Sequence, residues 1–342
     1  MKLSKTLAGV AGLGVVAAGL ISAAPASADP APGNYQLIGI GSDTTQNVMN
    51  DLAAAINTAT PGTLASWDAI GSPTSINVKP SQSGCTYTRS AAGESAEANG
   101  SGAGRSRLVE ALTPGDPRFD CIQYSRSSSG RASGFTQLTW VEFASDTMTY
   151  ITRSDGDVAR VGLSLNDVKD VYKCLNPDIH PILPQVGSGS RAFWLGQMGI
   201  SETDINNGLY NCLVPGATFN GAGYTMVGRP NVQENNGQAL KTDEIMPFSV
   251  GLYNVQAAGN NTDVRGPLNV LAQIGTGSTA LPVGGNTSFP VSRKLYNIIP
   301  TSKISTAPWS TVFVGPSSAI CSNPAVIVNN GFNAIASCGT TS

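Results

Sequence analysis

Charge is scarce in this sequence of 342 residues: Lys, Arg, Asp and Glu together make up 12%, about half the usual share of a soluble domain. The formal net charge is −2, and no block of like charges occurs. Nucleic-acid binding needs clustered Lys and Arg to neutralise phosphates, so a DNA or RNA partner is not expected. Histidine is rarer still, with His180 alone between Ile179 and Pro181. No C-x-x-C pair or H-E-x-x-H motif supports a zinc site. No G-x-S-x-G elbow marks a hydrolase nucleophile, and no Walker A lysine follows a glycine loop. Catalysis is therefore not expected, and neither is a cofactor or a metal. Beyond the first residues, no stretch is long and apolar enough to span a bilayer. Collagen-like, coiled-coil and disordered compositions are also excluded.

What is present is a chain with 41% apolar residues, enough for a sizeable core. Its length suggests about two domains at roughly 150 residues each. Ser, Thr, Asn, Gln and Gly must cover most of the surface. Lys2 and Lys5 precede an apolar stretch from Thr6 to Ser22, and Ala26-Ser27-Ala28 forms an A-x-A site before Asp29. These are the parts of a secretory signal peptide over residues 1–28, so a secreted, extracellular protein is expected. No cysteine precedes Cys85, so a lipid-tethered N-terminus is not expected. Cys85, Cys121, Cys174, Cys212, Cys321 and Cys338 then read as disulfides. Many connectivities are open to six cysteines. Nearest neighbours in chain order would give Cys85–Cys121, Cys174–Cys212 and Cys321–Cys338, each worth about 2–4 kcal/mol.

Tyr35–Gly41 reads as a buried strand, followed by the polar Ser42-Asp43-Thr44-Thr45 loop. Val48, Leu52 and Ile56 then share a helical face until Pro61-Gly62. Ile76–Val78 and Cys121–Tyr124 are short strand candidates, with a short helix through Leu108, Val109 and Leu112 between them. Trp140–Arg153 is a β-rich run long enough to cross from one domain to another. Ser164, with Asp167 three residues on, predicts a capping box, and Val168, Val171, Tyr172 and Leu175 fall on one helical face. A helix through Phe193, Trp194 and Leu195 and a strand at Pro247–Val250 follow. Strands alternating with helices predict an α/β protein with mostly parallel sheets.

A loop of small and hydroxyl residues recurs at Ser42–Thr45, Gly100–Gly104, Ser125–Ser129 and Gly187–Ser190. Each is read as a strand-to-helix junction. Any one of them is what plain helix capping gives. Helix N-termini also offer unpaired N–H groups and the positive end of the dipole, glycine admits close approach, and hydroxyls add rotatable donors. Several such loops converging would make a cage of neutral donors for a small oxyanion.

In this order the motifs resemble the phosphate-type, class II solute-binding proteins of ABC importers, over most of the chain after residue 28. The likeness is carried by Gly39-Ile40-Gly41-Ser42-Asp43-Thr44, the G-S-G-A-G loop Gly100–Gly104, and Tyr124-Ser125-Arg126-Ser127-Ser128. The turn Gly187-Ser188-Gly189-Ser190 and the segment Phe289-Pro290-Val291-Ser292-Arg293-Lys294-Leu295-Tyr296 complete it. Secreted actinobacterial members are the most similar in signal style and composition. The resemblance implies an α/β fold of two lobes, with mostly parallel sheets flanked by helices and crossing strands between the lobes. Lobe 1 would comprise residues 29–146 and 249–342, and lobe 2 residues 147–248. A monomer would capture phosphate or a similar small oxyanion in the cleft for an ABC permease.

Ligand donors would come from Ser42, Thr44, Ser101, Ser188, Gly189 and Ser190. The family's acidic proton acceptor falls at Ser127 and its arginine at Pro184. Asp43 would then stand in for the acid, and Arg126 or Arg191 for the cation. Glu234–Gly237 either adds cleft contacts or forms a surface turn. The missing acid, the missing arginine and the absent anchor carry a second reading. That reading is a secreted interaction or surface protein of the same fold that has lost or changed its ligand.

Overall fold

The computed structural model describes residues 29–31, 33–91, 95–161, 163–271 and 291–342. The signal segment 1–28 and the Phe289-Pro290 end of the last motif lie outside the described residues. β1 (Leu37–Gly41) leads into α1 (Gln46–Ala59), which buries Val48, Met49, Leu52, Ala53 and Ile56 at the expected helical spacing. β2 (Leu64–Ser66) follows, then a ribbon of β3 (Ser75–Asn77) and β4 (Thr86–Thr88), then α2 (Ser101–Leu112). β5 (Tyr124–Ser127) and the long β6 (Leu138–Arg153) come next. After them run α3 (Asp157–Val161), α4 (Leu165–Tyr172), β7 (His180–Pro181), α5 (Gly189–Met198) and α6 (Glu202–Asn206). A hairpin of β8 (Thr218–Gly221) and β9 (Tyr224–Val227) precedes β10 (Glu244–Ser249), α7 (Val250–Ala257) and β11 (Asn269–Leu271). β12 (Val291–Pro300), α8 (Trp309–Phe313), α9 (Pro324–Asn329) and β13 (Asn333–Ala334) close the chain.

The main sheet has the order β2-β1-β5-β12-β6-β10-β7, with β11 and β13 also paired to β6. β2, β1 and β5 run parallel at one end and β10 and β7 at the other. Between them β6 and β12 form the antiparallel crossing pair. At about 3.3 Å per residue, the 16 residues of β6 are long enough to serve both ends. Leu138, Trp140, Val141, Phe143 and Ala144 of β6 belong to cores that include α1, α2, α7, α8 and α9 residues, with Leu37 and Phe143 on one face and Ile40 and Trp140 on the other. Tyr150 and Ile151 enter different cores, with Val168, Tyr172 and Trp194 on one face and Met246 and Phe248 on the other. Alternate strand residues therefore bury on both faces at both ends, as a helix-covered sheet demands. The result is the two-lobe α/β fold with crossing strands that the resemblance implied.

Local expectations meet the structure in detail. Ser164 and Asp167 form a capping box, with Asp167 N–H donating to Ser164 Oγ at 3.2 Å and Ser164 N–H to Asp167 Oδ2 at 2.7 Å. All six cysteines pair in chain order as Cys85–Cys121, Cys174–Cys212 and Cys321–Cys338. Leu175 departs from the expected face. α4 ends at Tyr172, Cys174 turns the chain with φ 61°, and Leu175 is left 63% exposed. Ser125, Arg126 and Ser127 are strand residues of β5 rather than a loop, and the next element is β6, so this segment is no strand-to-helix junction. Among the described residues no helix is long and apolar enough to cross a membrane.

The Cys321–Cys338 bridge closes a loop with a sequence separation of 17 and ties the α8–β13 region together. Replacing both cysteines by serine is expected to lower the unfolding free energy by about 3 kcal/mol. Urea denaturation monitored by tryptophan fluorescence measures it, and an unchanged midpoint would refute the estimate.

Candidate functional site

Gly41 ends β1, and the chain turns so that the Ser42 N–H donates to the Arg126 carbonyl at 3.1 Å. Ser42 Oγ donates to Ser128 Oγ at 3.0 Å. The Ser128 N–H donates to Ser101 Oγ at 2.9 Å, and the two hydroxyls lie 3.4 Å apart. Thr44 Oγ1 and Ser190 Oγ are 3.3 Å apart, and Asn235 Nδ2 donates to Thr44 Oγ1 at 3.3 Å. Ser42, Thr44, Ser101, Ser128, Ser188 and Ser190 are all buried, and they come together from four separate segments. Two glycines allow that approach. Gly100, at φ 106°, lies against the Gly187 carbonyl, and a Cβ on Gly189 would fall 2.3 Å from both Ser101 Oγ and Ser128 Oγ.

Ser188 is the N-cap of α5 and accepts the Arg191 N–H at 3.0 Å. Its own proton goes to Glu234 Oε2, which also accepts the Ser190 N–H at 3.2 Å. Glu234 is buried, and its Oε1 has no hydrogen-bond partner among the described residues. Burial pushes its pKa up to about 7, against the opposing influence of the Arg293 charge and the Ser190 and Thr44 N–H groups. Beneath the hydroxyls lies a buried ion pair. Arg293 Nε and Nη2 donate to Asp146 Oδ2 at 3.0 and 2.8 Å, and Nη1 donates to the Ser128 carbonyl at 3.1 Å. Ser249 Oγ donates to Asp146 Oδ1 at 2.7 Å. Burial still raises the Asp146 pKa, opposed by Arg293 and Ser249.

Of the residues expected from the sequence, Ser42, Thr44, Ser101, Ser188, Gly189 and Ser190 are brought together. Asp43 stands beside them, its Oδ1 accepting the Thr44 N–H at 2.8 Å. Three others point elsewhere. Arg126 sends its guanidinium to the Ser42 and Trp67 carbonyls and to Ser66 Oγ, at 3.1, 2.6 and 2.9 Å. Arg191 is committed to Glu202 at 2.5 and 3.0 Å, to the Pro184 carbonyl and to Asn231. Ser127 Oγ serves its own turn, donating to the Ser129 carbonyl at 2.8 Å. Sequence reasoning missed Ser128 as the linking hydroxyl and Arg293 as the cation beneath the site. Arg293 stood in the last family-like segment, and that position was the only signal for it. Glu234 and Asn235 were open between cleft contacts and a surface turn; both are buried, Glu234 against Ser188 and Ser190 and Asn235 against Thr44.

No protein-family model and no curated protein matches this sequence. Solved structures do match. A candidate phosphate ABC transporter substrate-binding protein from Clostridium perfringens, solved with bound phosphate, superimposes with a TM-score of 0.54 at 15% identity, over 87% of this chain and 99% of that one. An ABC-type phosphate transport receptor from Vibrio cholerae gives 0.51 at 14% identity, over 88% and 100%. The chain is thus similar to phosphate-type substrate-binding proteins in fold, along most of its length.

Arg293→Met would strand Asp146 as an uncompensated buried charge, with an expected loss of about 3–5 kcal/mol of stability by chemical denaturation. Glu234 contributes in the opposite sense to an ordinary acid. Its folded pKa, near 7, lies above its ordinary value of 4.5, so the folded state keeps a proton that the unfolded chain loses. Stability from this group is full below about pH 4.5 and declines as pH rises to about 7. Asp68, raised by burial to about 7, adds to the same decline. Glu234→Gln should flatten the Glu234 share of that slope, measured as urea midpoints across pH; an unaltered slope would refute it.

Proposed function

We propose that the protein is secreted and binds a small oxyanion, phosphate before others, in the cleft between its two lobes, for delivery to an ABC permease. The observation that carries this reading is the meeting of Ser42, Thr44, Ser101, Ser128, Ser188 and Ser190 from four segments, with the N-termini of α2 and α5 among them. Neutral hydroxyls and peptide N–H groups at helix starts are the donors that a desolvated oxyanion requires. Residues 29–146 and 249–342 form one lobe and 147–248 the other, and the chain crosses near Asp146, Ser249 and Arg293. Lobe closure then brings the Ser42–Ser101 side against the Ser188–Ser190 side. Binding alone suffices for this role; no nucleophile paired with a base is needed. The signal-type segment 1–28 and the three disulfides support export.

Titration calorimetry on desalted protein lacking residues 1–28, with phosphate, sulfate and an organic phosphate, tests the reading. Phosphate is expected to bind at micromolar affinity or tighter, about −8 kcal/mol. Ser101→Ala is expected to weaken it by roughly tenfold, the value of one hydrogen bond to a charged group. Absence of binding below about millimolar for all three anions would overturn the proposal.

A further inference from the structure

Glu234 takes part in no ion pair among the described residues, and it meets the N-terminus of α5 from outside that helix. It stands in a bend after Val232, whose N–H donates to the Leu183 carbonyl at 3.1 Å, and before Asn235, whose φ of 57° turns the chain. The bend is pinned from the other side. Asn235 Oδ1 accepts the Ser249 N–H at 3.0 Å, and the Asn235 carbonyl accepts from Gln256 Nε2 at 3.1 Å. From this anchored position the carboxylate reaches the first turn of α5 and takes the Ser188 hydroxyl proton and the Ser190 N–H. Those are two of the donors that an oxyanion in this cleft would use. A carboxylate and a phosphate make the same kind of charge-assisted hydrogen bond to them.

We propose that Glu234 is a tethered competitor for the anion cage: its carboxylate satisfies the Ser188 and Ser190 donors within the protein, and an oxyanion gains them only by displacing or neutralising that carboxylate. This rests on the oxyanion reading of the cleft. A side chain held on a pinned bend meets its donors at an effective concentration of roughly millimolar or above, so a free anion must bind well to replace it. An anion beside ionised Glu234 also meets a like charge out of water. The charged groups facing Glu234 give little relief. Arg293 on β12 is bound to Asp146 on β6, Asp43 before α1 is a further acid, and Arg191 on α5 is bound to Glu202. Protonation of Glu234 from solvent removes both the competition and the repulsion. Anion capture is therefore coupled to proton uptake at this carboxyl, whose raised pKa puts that uptake in the neutral range.

Sulfate keeps its charge between about pH 5 and 8 and is the probe. Calorimetry with sulfate and phosphate compares the wild-type protein, Glu234→Gln and Glu234→Ala at both pH values, with thermal melts showing that each variant is folded. At pH 8 both variants are expected to bind sulfate at least about tenfold more tightly than wild type, the value of one charge-assisted donor regained. The gap narrows at pH 5, and the wild type alone weakens as pH rises. Sulfate binding by the variants at pH 8, where the wild type binds phosphate alone, supports the proposal in its strongest form. Equal or weaker sulfate binding by both variants at pH 8 overturns the competitor role and leaves the oxyanion reading standing. No binding of either anion by any of the three proteins overturns both.

Discussion

The Asp146–Arg293 ion pair is buried on both sides, at 0% and 2% side-chain exposure, and a desolvated pair is tolerable only with its geometry complete. That requirement organises the centre of the molecule. Arg293 stands opposite Asp146 in the β6–β12 register, and a slip of one residue would turn the guanidinium to the other face of the sheet. The remaining carboxylate oxygen takes the Ser249 hydroxyl, and Ser249 Oγ in turn accepts the Leu252 N–H to cap α7. The remaining guanidinium nitrogen takes the Ser128 carbonyl. One ion pair thus fixes the crossing strands, the start of α7 and the turn after β5, and through Ser128 it positions the hydroxyls of Ser42 and Ser101.

Above that pair the seam contains hydroxyls, amides and peptide groups in place of further cations. Buried donors must find acceptors, and here they find one another until the chain reaches Glu234. Because the Arg293 charge is already matched by Asp146, ionisation of Glu234 adds a negative charge to a seam that also has Asp43 beside it, and protonation of Glu234 removes that charge.

The parts of the fold set by apolar spacing were readable in advance. Val48, Leu52 and Ile56 marked α1 and the run through Trp140 marked β6; the six cysteines left many pairings open, and the nearest-neighbour one is the one formed. β5 was misread because its Tyr-Ser-Arg-Ser sequence is wholly buried yet mostly polar; the hydrogen bonds of Ser125 and Arg126 to neighbouring backbone make that burial possible, and no hydrophobic pattern records them. The glycine–serine junctions were visible as donors. Which arginine would face the cleft was not, because the partners that draw Arg191 to Glu202 and Arg126 to Ser66 and Trp67 are distant in sequence. Glu234 was ambiguous for the same reason, since its donors lie 44 and 46 residues away.

The scarcity of charge has a structural counterpart. Buried arginines in this chain are spent on defined partners: Arg89 on Asp29, Arg191 on Glu202, Arg293 on Asp146, and Arg126 on carbonyls and a hydroxyl. Glu234 instead accepts from a hydroxyl and a peptide N–H. Neutral donors hold an acid less firmly than a guanidinium would, and they can transfer to another oxyanion without leaving a buried cation unpaired. A cage built around an arginine would be left with a costly stranded charge each time its anion departed. On the proposed oxyanion reading, a cage of serines, threonine and asparagine would carry no such penalty, and a tethered carboxylate would satisfy part of it between ligands. The low charge of the sequence would then be a property of that site as well as of the surface.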